Sequence, residues 1–193
     1  LNRQIEYHLQ GNHLLANAKA LIFAGIFFQG PQARYWQEKG IDILLQELDK
    51  QILGDGAHFE LSPMYHSIIL EDILDIINLF ISFDQRSDLT DRLRSTAKKM
   101  IDWLSYLTHP DGKISHFNDA SMDAVCSFSD LKQYANSLGV EIERNIRAQC
   151  DLSASGFVIS RLGASNLFVD AGEIGPLFQP GHGHADTLSF ELS

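Results

Sequence analysis

Cysteine, positive charge and long apolar runs are all scarce in this chain. Two cysteines in 193 residues, Cys126 and Cys150, are too few for a disulfide framework and lack metal-ligand spacing. Fifteen Lys and Arg stand against 25 Asp and Glu, a formal net charge of -10. An acidic surface is a poor counterion for a phosphate backbone, so nucleic acid is excluded as a partner. The most apolar stretch, residues 20–28, is far shorter than the roughly 20 residues a membrane-spanning helix needs, and Gly25 interrupts it. No membrane partner is expected. Met and a signal-like segment are missing at Leu1, and Leu188 to Ser193 reads as an unfinished strand, so a piece of a longer protein is expected.

What is present is 45% hydrophobic and 21% charged, with a mean hydropathy of -0.09. That is the make-up of a globular chain with a substantial core. Over residues 12–28, Leu14, Leu15, Ala18, Leu21, Ile22 and Gly25 recur at helical spacing, with Asn12 where an N-cap would stand. Gly30-Pro31 breaks that helix and starts a second to about Leu53, where Gly54-Asp55-Gly56 ends it. Pro63 opens a third through Ile69, Ile73, Ile76, Ile77 and Phe80, and a fourth spans residues 89–107. Weaker helical stretches are expected over residues 128–138 and 140–148.

The two Asp-Gly pairs are separated by 111 − 55 = 56 residues, and each follows a long helix bearing a Trp, Trp36 or Trp103. Helix, helix and Asp-Gly loop at a fixed period indicate stacked helical hairpins, the unit of solenoids and α/α toroids. After Gly156 the apolar period falls from 3.6 to 2. Residues 157–162 and 167–170 form a hairpin, and residues 187–192 a further strand. The expected fold is mainly α: an incomplete α/α toroid over residues 1–152, followed by the first strands of an antiparallel β-sandwich over 153–193.

Four polar clusters hold chemistry-bearing side chains: Asn12-His13, Tyr65-His66, His116 to Asp119, and His182-Gly183-His184-Ala185-Asp186. In a hairpin array the first three gather on one rim, at helix N-termini whose free N–H groups favour an anionic ligand. Each also has a plain structural reading. Asn12 serves as a helix cap, Tyr65 as a staple, His13 and His66 as ordinary hydrogen-bonded histidines, and the Asp-Gly pairs as turns. Two imidazoles and a carboxylate within five residues suit either metal ligation or proton transfer. That run also partly matches the His-x-His-x-Asp-His of metallo-β-lactamase-like hydrolases, departing at Thr187.

Gly11-Asn12-His13-Leu14-Leu15-Ala16-Asn17, Asp55-Gly56 through Ser62-Pro63-Met64-Tyr65-His66, Pro110-Asp111-Gly112, and His182-Gly183-His184-Ala185-Asp186-Thr187-Leu188-Ser189-Phe190 together resemble the heparinase II/III-like polysaccharide lyases, which include alginate and oligoalginate lyases. The resemblance covers nearly the whole chain. It implies β-elimination on an acidic, uronic-acid-containing polysaccharide or oligosaccharide, in a periplasmic or secreted bacterial protein. By the same resemblance Asn12, assisted by His13, neutralises the uronate carboxylate; Tyr65 is the acid at the leaving oxygen and is open to serving as base as well. His182 is the base on the opposite side of the sugar, and His66 is assigned to substrate binding. No cofactor is required for the chemistry, while His184 resembles a ligand of a structural divalent metal, often zinc.

The chemistry gives these residue types a reason. The C5 proton of a uronate is poorly acidic while its carboxylate is charged, so donors must stabilise the enolate-like intermediate. Tyrosine, with an ordinary pKa near about 10, acts directly as an acid but as a base only if neighbours lower that value. Scattered cations (Arg34, Lys39, Lys98, Lys99, Arg161) tilt the expected substrate toward non-sulfated uronates. A non-catalytic glycan-binding toroid and a metal-dependent hydrolase built on His182, His184 and Asp186 stand as the other readings.

Overall fold

The computed structural model describes residues 4–121, 124–142, 148–163, 165–176, 180–183 and 188–193, without the side chains of residues 180 and 182. Its helices are α1 (Gly11–Phe27), α2 (Pro31–Gln51), α3 (Pro63–Ser82), α4 (Ser87–Tyr106) and α5 (Phe128–Ser137). They are followed by β1 (Gln149–Leu152), β2 (Phe157–Leu162), β3 (Ser165–Asp170) and β4 (Phe190–Leu192), with a 3-10 turn at Pro180–Gly183.

Sequence pattern sorts the helices into two layers. α2 and α4 are amphipathic, burying single stripes such as Ile41, Leu44 and Leu48, or Leu93, Ala97, Met100, Ile101 and Leu104. α3 is apolar on several sides, burying Ile69, Leu70, Ile73, Leu74, Ile76, Ile77 and Phe80, and it packs against α1, α4 and α5. α1, α3 and α5 therefore lie side by side, with α2 and α4 behind them. Close packing of the first hairpin requires Gly40, where a Cβ would stand 2.9 Å from the Ala18 carbonyl oxygen.

The 56-residue repeat is present bond by bond. Bridge pairs Ile52 with His58 and Thr108 with Ile114 are offset by 56 positions. So are the main-chain bonds Leu53 N–H to Ala57 O and His109 N–H to Lys113 O, and Phe59 N–H to Gln51 O and Ser115 N–H to Leu107 O. Both turns are closed by the same side chain: Asp55 Oδ1 accepts from the Ala57 N–H at 3.1 Å, and Asp111 Oδ1 from the Lys113 N–H at 3.0 Å. The tryptophans do not share the repeat. Trp36 lies early in α2 and Trp103 late in α4.

The four strands form an antiparallel sheet in the order β1-β2-β3-β4. β2 matches its expected span, whereas β1 is a strand that the sequence pattern did not disclose. Of the helix expected over residues 140–148, residues 143–147 lie outside the described residues and no helix is found over the rest. The burial pattern of β1 has no clean alternation, so pairing with β2 rather than periodicity makes it a strand.

Two sets of contacts among several join the sheet to the helical part near α4. In the β1–β2 turn, Ser155 donates to Asp55 Oδ2 through both its N–H and its hydroxyl, each at 2.8 Å. The same hydroxyl accepts from Trp103 Nε1 at 3.0 Å, and Phe157 packs edge-on against that indole. Arg161 donates to the carbonyls of Ser105 and Tyr106 at the C-terminal end of α4, where a cation is favoured.

The two turn glycines should respond differently to substitution. Gly56 has φ +96 and a Cβ there would lie 2.3 Å from the Lys99 carbonyl oxygen, while Gly112 has φ +87 and open space around it. Gly112→Ala should therefore cost about 1 kcal/mol, from backbone strain alone. Gly56→Ala should cost about 3 kcal/mol, since steric overlap adds to strain. Urea unfolding of the two variants checks the difference, and equal losses would contradict this account.

Candidate active site

Asn12 is not the N-cap that its position suggested. Gln10 holds that place with φ 57 and ψ -153 and makes no side-chain cap bond. The cap comes instead from another hairpin: Glu60 Oε1 accepts the Asn12 N–H at 3.1 Å across 48 residues. A carboxylate at a helix N-terminus meets both free N–H groups and the positive end of the dipole. Glu60 is itself only 1% exposed. The side-chain oxygen Oδ1 of Asn12 is buried with no hydrogen-bond partner among the described residues, and such unmet capacity calls for an explanation.

Tyr65 stands in the first turn of α3. Ser62 caps that helix, its hydroxyl accepting the Tyr65 N–H, and Pro63 supplies the first helical position. The Tyr65 phenol is pushed above its ordinary pKa by burial first, then by the charges of Asp119 and Glu60. That direction suits an acid and opposes a base. Asn118, from the loop ahead of α5, donates to the Leu61 carbonyl oxygen at 3.3 Å. Three loops thus converge: the start of α1, the α2–α3 loop and the α4–α5 loop. Seven described residues other than glycine have positive φ, and four of them, Gln10, Leu61, Asn118 and Asp119, lie in these loops. Strain concentrated in this way marks functional sites.

His13 is exposed, and its ring Nδ1 lies 3.5 Å from Glu6 Oε2, on the approach to α1. The structure brings it to Glu6, which Asn17 also reaches.

His66 is corrected from a substrate contact to a core residue. It is fully buried, with Nδ1 accepting the His58 N–H at 3.1 Å and Nε2 against the Met100 carbonyl oxygen at 2.9 Å. A ring that accepts at Nδ1 and faces a carbonyl at Nε2 is the neutral tautomer with its proton on Nε2. Burial lowers its pKa to about 4. Its ring stacks on Trp103, centroids 4.5 Å apart, so it links the start of α3 to the indole that holds Ser155.

A second buried set supports the start of α1. Gln51 Nε2 donates to the Gly11 carbonyl oxygen at 2.9 Å and to Glu47 Oε2 at 2.8 Å, and Gln51 Oε1 meets His58 Nε2 at 2.9 Å. Sequence reasoning missed Glu60, Gln51 and His58 as site residues. The available signal was an acidic and amide set at the end of an amphipathic helix.

His182 lies in the 3-10 turn on the β3–β4 connection. That connection leans on the α2–α3 loop, since a Cβ on Gly175 would lie 3.5 Å from the Phe59 carbonyl oxygen, and it packs on itself, since one on Gly183 would lie 2.3 Å from Ile174 Cγ2. His184, Asp186 and Thr187 lie outside the described residues. Among the described residues, no group of three His, Cys, Asp or Glu side chains could hold a metal ion, and no helix is long and apolar enough to cross a membrane.

Residues 3–140 match the family model described as Heparinase II/III N-terminus, and residues 144–193 match Heparinase II/III-like, C-terminal. The chain belongs to the heparinase II/III family. A heparin-sulfate lyase of Bacteroides stercoris is 34% identical over 131 residues, 67% of this chain and 19% of that protein. One from Bacteroides thetaiotaomicron is 33% identical over 142 residues, 66% of this chain and 20% of that protein. A heparinase III gene product of known structure covers 97% of this chain and 32% of its own at 27% identity, with TM-score 0.75. Another heparinase III structure, at 23% identity, has TM-score 0.81 and shares the fold. The chain thus spans about a fifth of the curated relatives it matches, 19% of the first, and about a third of the structures.

The buried neutral His66 makes a pH prediction. Its pKa is near 6.5 when unfolded and about 4 when folded, so as pH falls from 7 to 4 the unfolded state takes up the proton first. Stability should drop by about 3 kcal/mol through this group. Urea midpoints at the two pH values measure it, and a His66→Gln chain, which cannot titrate there, should show a correspondingly smaller pH difference.

Proposed function

We propose that this protein is a polysaccharide lyase that cleaves uronic-acid-containing glycans by β-elimination. The observation that carries this reading is that Glu60, between the first turns of the packed helices α1 and α3 in the chain of contacts, accepts the Asn12 N–H and bears by its charge on the Tyr65 phenol. Family membership and lyase relatives support it.

In this mechanism the Asn12 amide, with His13 at its side, meets the uronate carboxylate and offsets its charge, which makes the C5 proton removable. His182 takes that proton. Electrons of the C5–H bond form the C4–C5 double bond as the C4–O bond breaks, and Tyr65 gives its proton to the leaving oxygen. Tyr65 acts as the acid, a role favoured by burial and by the carboxylates of Asp119 and Glu60, which raise its pKa. No step runs through a metal. A structural divalent ion at His184 is a separate proposal outside this chemistry.

For the substrate, the relatives' names bring a glycosaminoglycan of the heparin-sulfate type. The cations that would read sulfates are scattered or otherwise engaged: Arg161 on the α4 carbonyls and Lys98 on Asp102. A sparsely sulfated polymer of that type reconciles the two. Tyr65→Phe should lower kcat at least ~100-fold, the scale of a lost general acid. The ultraviolet absorbance of the unsaturated uronate product measures the rate. Full activity in Tyr65→Phe would remove the acid from this residue.

A further inference from the structure

We propose that Glu60 is a positioning residue of this site, its buried carboxylate holding the Asn12 turn of α1 against the Tyr65 end of α3. The inference rests on the lyase reading for its kinetic consequence, and its structural part stands apart from it.

Placing a carboxylate at 1% exposure costs several kcal/mol unless it is hydrogen-bonded or near positive charge. Glu60 receives both from the N-terminus of α1, through the Asn12 N–H. That helix start is shaped to meet it. Gln10 adopts φ 57 and ψ -153, a region nearly confined to glycine, and Gln51 grips the Gly11 carbonyl oxygen from below.

The repeat shows that the hairpin turn itself does not need this carboxylate. The counterpart of Glu60, 56 residues on, is His116, yet the second turn makes the same main-chain bonds and the same Asp-to-N–H closure. What distinguishes the first loop is that it faces α1. At His116 the relation is reversed, since its backbone N–H donates to Glu191 of β4. Glu60 does not contact substrate, being closed off from solvent; it acts through Asn12 and through its charge.

Among the described residues, the charged groups bearing on the Tyr65 phenol are Asp119 from the α4–α5 loop and Glu60 from the α2–α3 loop. Removing one of two negative neighbours eases ionisation of the phenol. Glu60→Gln tests the charge while keeping an acceptor oxygen for the Asn12 N–H, and Glu60→Ala removes both.

Both variants of the full-length protein would be assayed for kcat and KM on a uronate polymer across pH, and Tyr65 would be titrated by 13C NMR of labelled tyrosine, which needs no activity. In Glu60→Gln, kcat should fall about 10-fold with KM within about 2-fold, because geometry is kept and electrostatics change. The Tyr65 titration and the alkaline limb of kcat should both move to lower pH. In Glu60→Ala, kcat should fall ~100-fold, the cost of a misplaced group. Unchanged kcat in both variants, or an unmoved Tyr65 titration in Glu60→Gln, overturns the proposal. Should Glu60→Ala fail to fold by circular dichroism, Glu60→Gln decides alone. If the parent protein releases no unsaturated product, the lyase reading falls, and the Tyr65 titration still decides the role of Glu60.

Discussion

The Asp55 carboxylate is the contact on which the arrangement depends. One oxygen closes its own turn through the Ala57 N–H, and the other takes two hydrogen bonds from Ser155. A carboxylate that accepts several N–H and O–H bonds is held far more firmly than a neutral acceptor. Through Ser155 it reaches Trp103, and through Trp103 the buried His66 beneath Tyr65. The sheet is thereby fixed to the helices at the level of the α2–α3 loop, and the β3–β4 connection bearing His182 is laid against that loop. Geometry at the candidate site is set by a residue that takes no part in its chemistry.

Helical hairpins supply the frame and leave its chemistry free to vary. Two loops built on the same hydrogen bonds carry different side chains: Asp55 grips the sheet where Asp111 closes only its own turn, and Glu60 serves α1 where His116 meets β4. Belonging to the heparinase II/III family accounts for the frame and for the pairing of helices with a sheet. The local differences between repeats decide which groups face one another.

Much of this was legible in the sequence because it is encoded locally. Apolar spacing gave α1 to α4 within a few residues, Pro63 and Pro31 marked helix starts, and the Asp-Gly spacing disclosed the repeat. That Asn12 and Tyr65 stand in the first turns of α1 and α3 was readable from the same pattern. Tertiary effects were not legible. Asn12 read as a cap because Asn is a good cap residue, but the cap came from Glu60, 48 residues away. His66 read as a ligand contact because it adjoins Tyr65, yet successive helical residues point about 100° apart, so one of the two faces the core. β1 carries too little pattern of its own and is defined by its partner strand.

The borrowed cap of α1 also bears on how the chain folds. Starting a helix is the unfavourable step in its formation, and this start has a strained Gln10 and no side-chain cap of its own. Its first turn is completed by Glu60, which the α2–α3 loop supplies from 48 residues away. The start of α1 and the loop that carries Glu60 thus depend on one another, so loosening either one loosens the turn that holds Asn12.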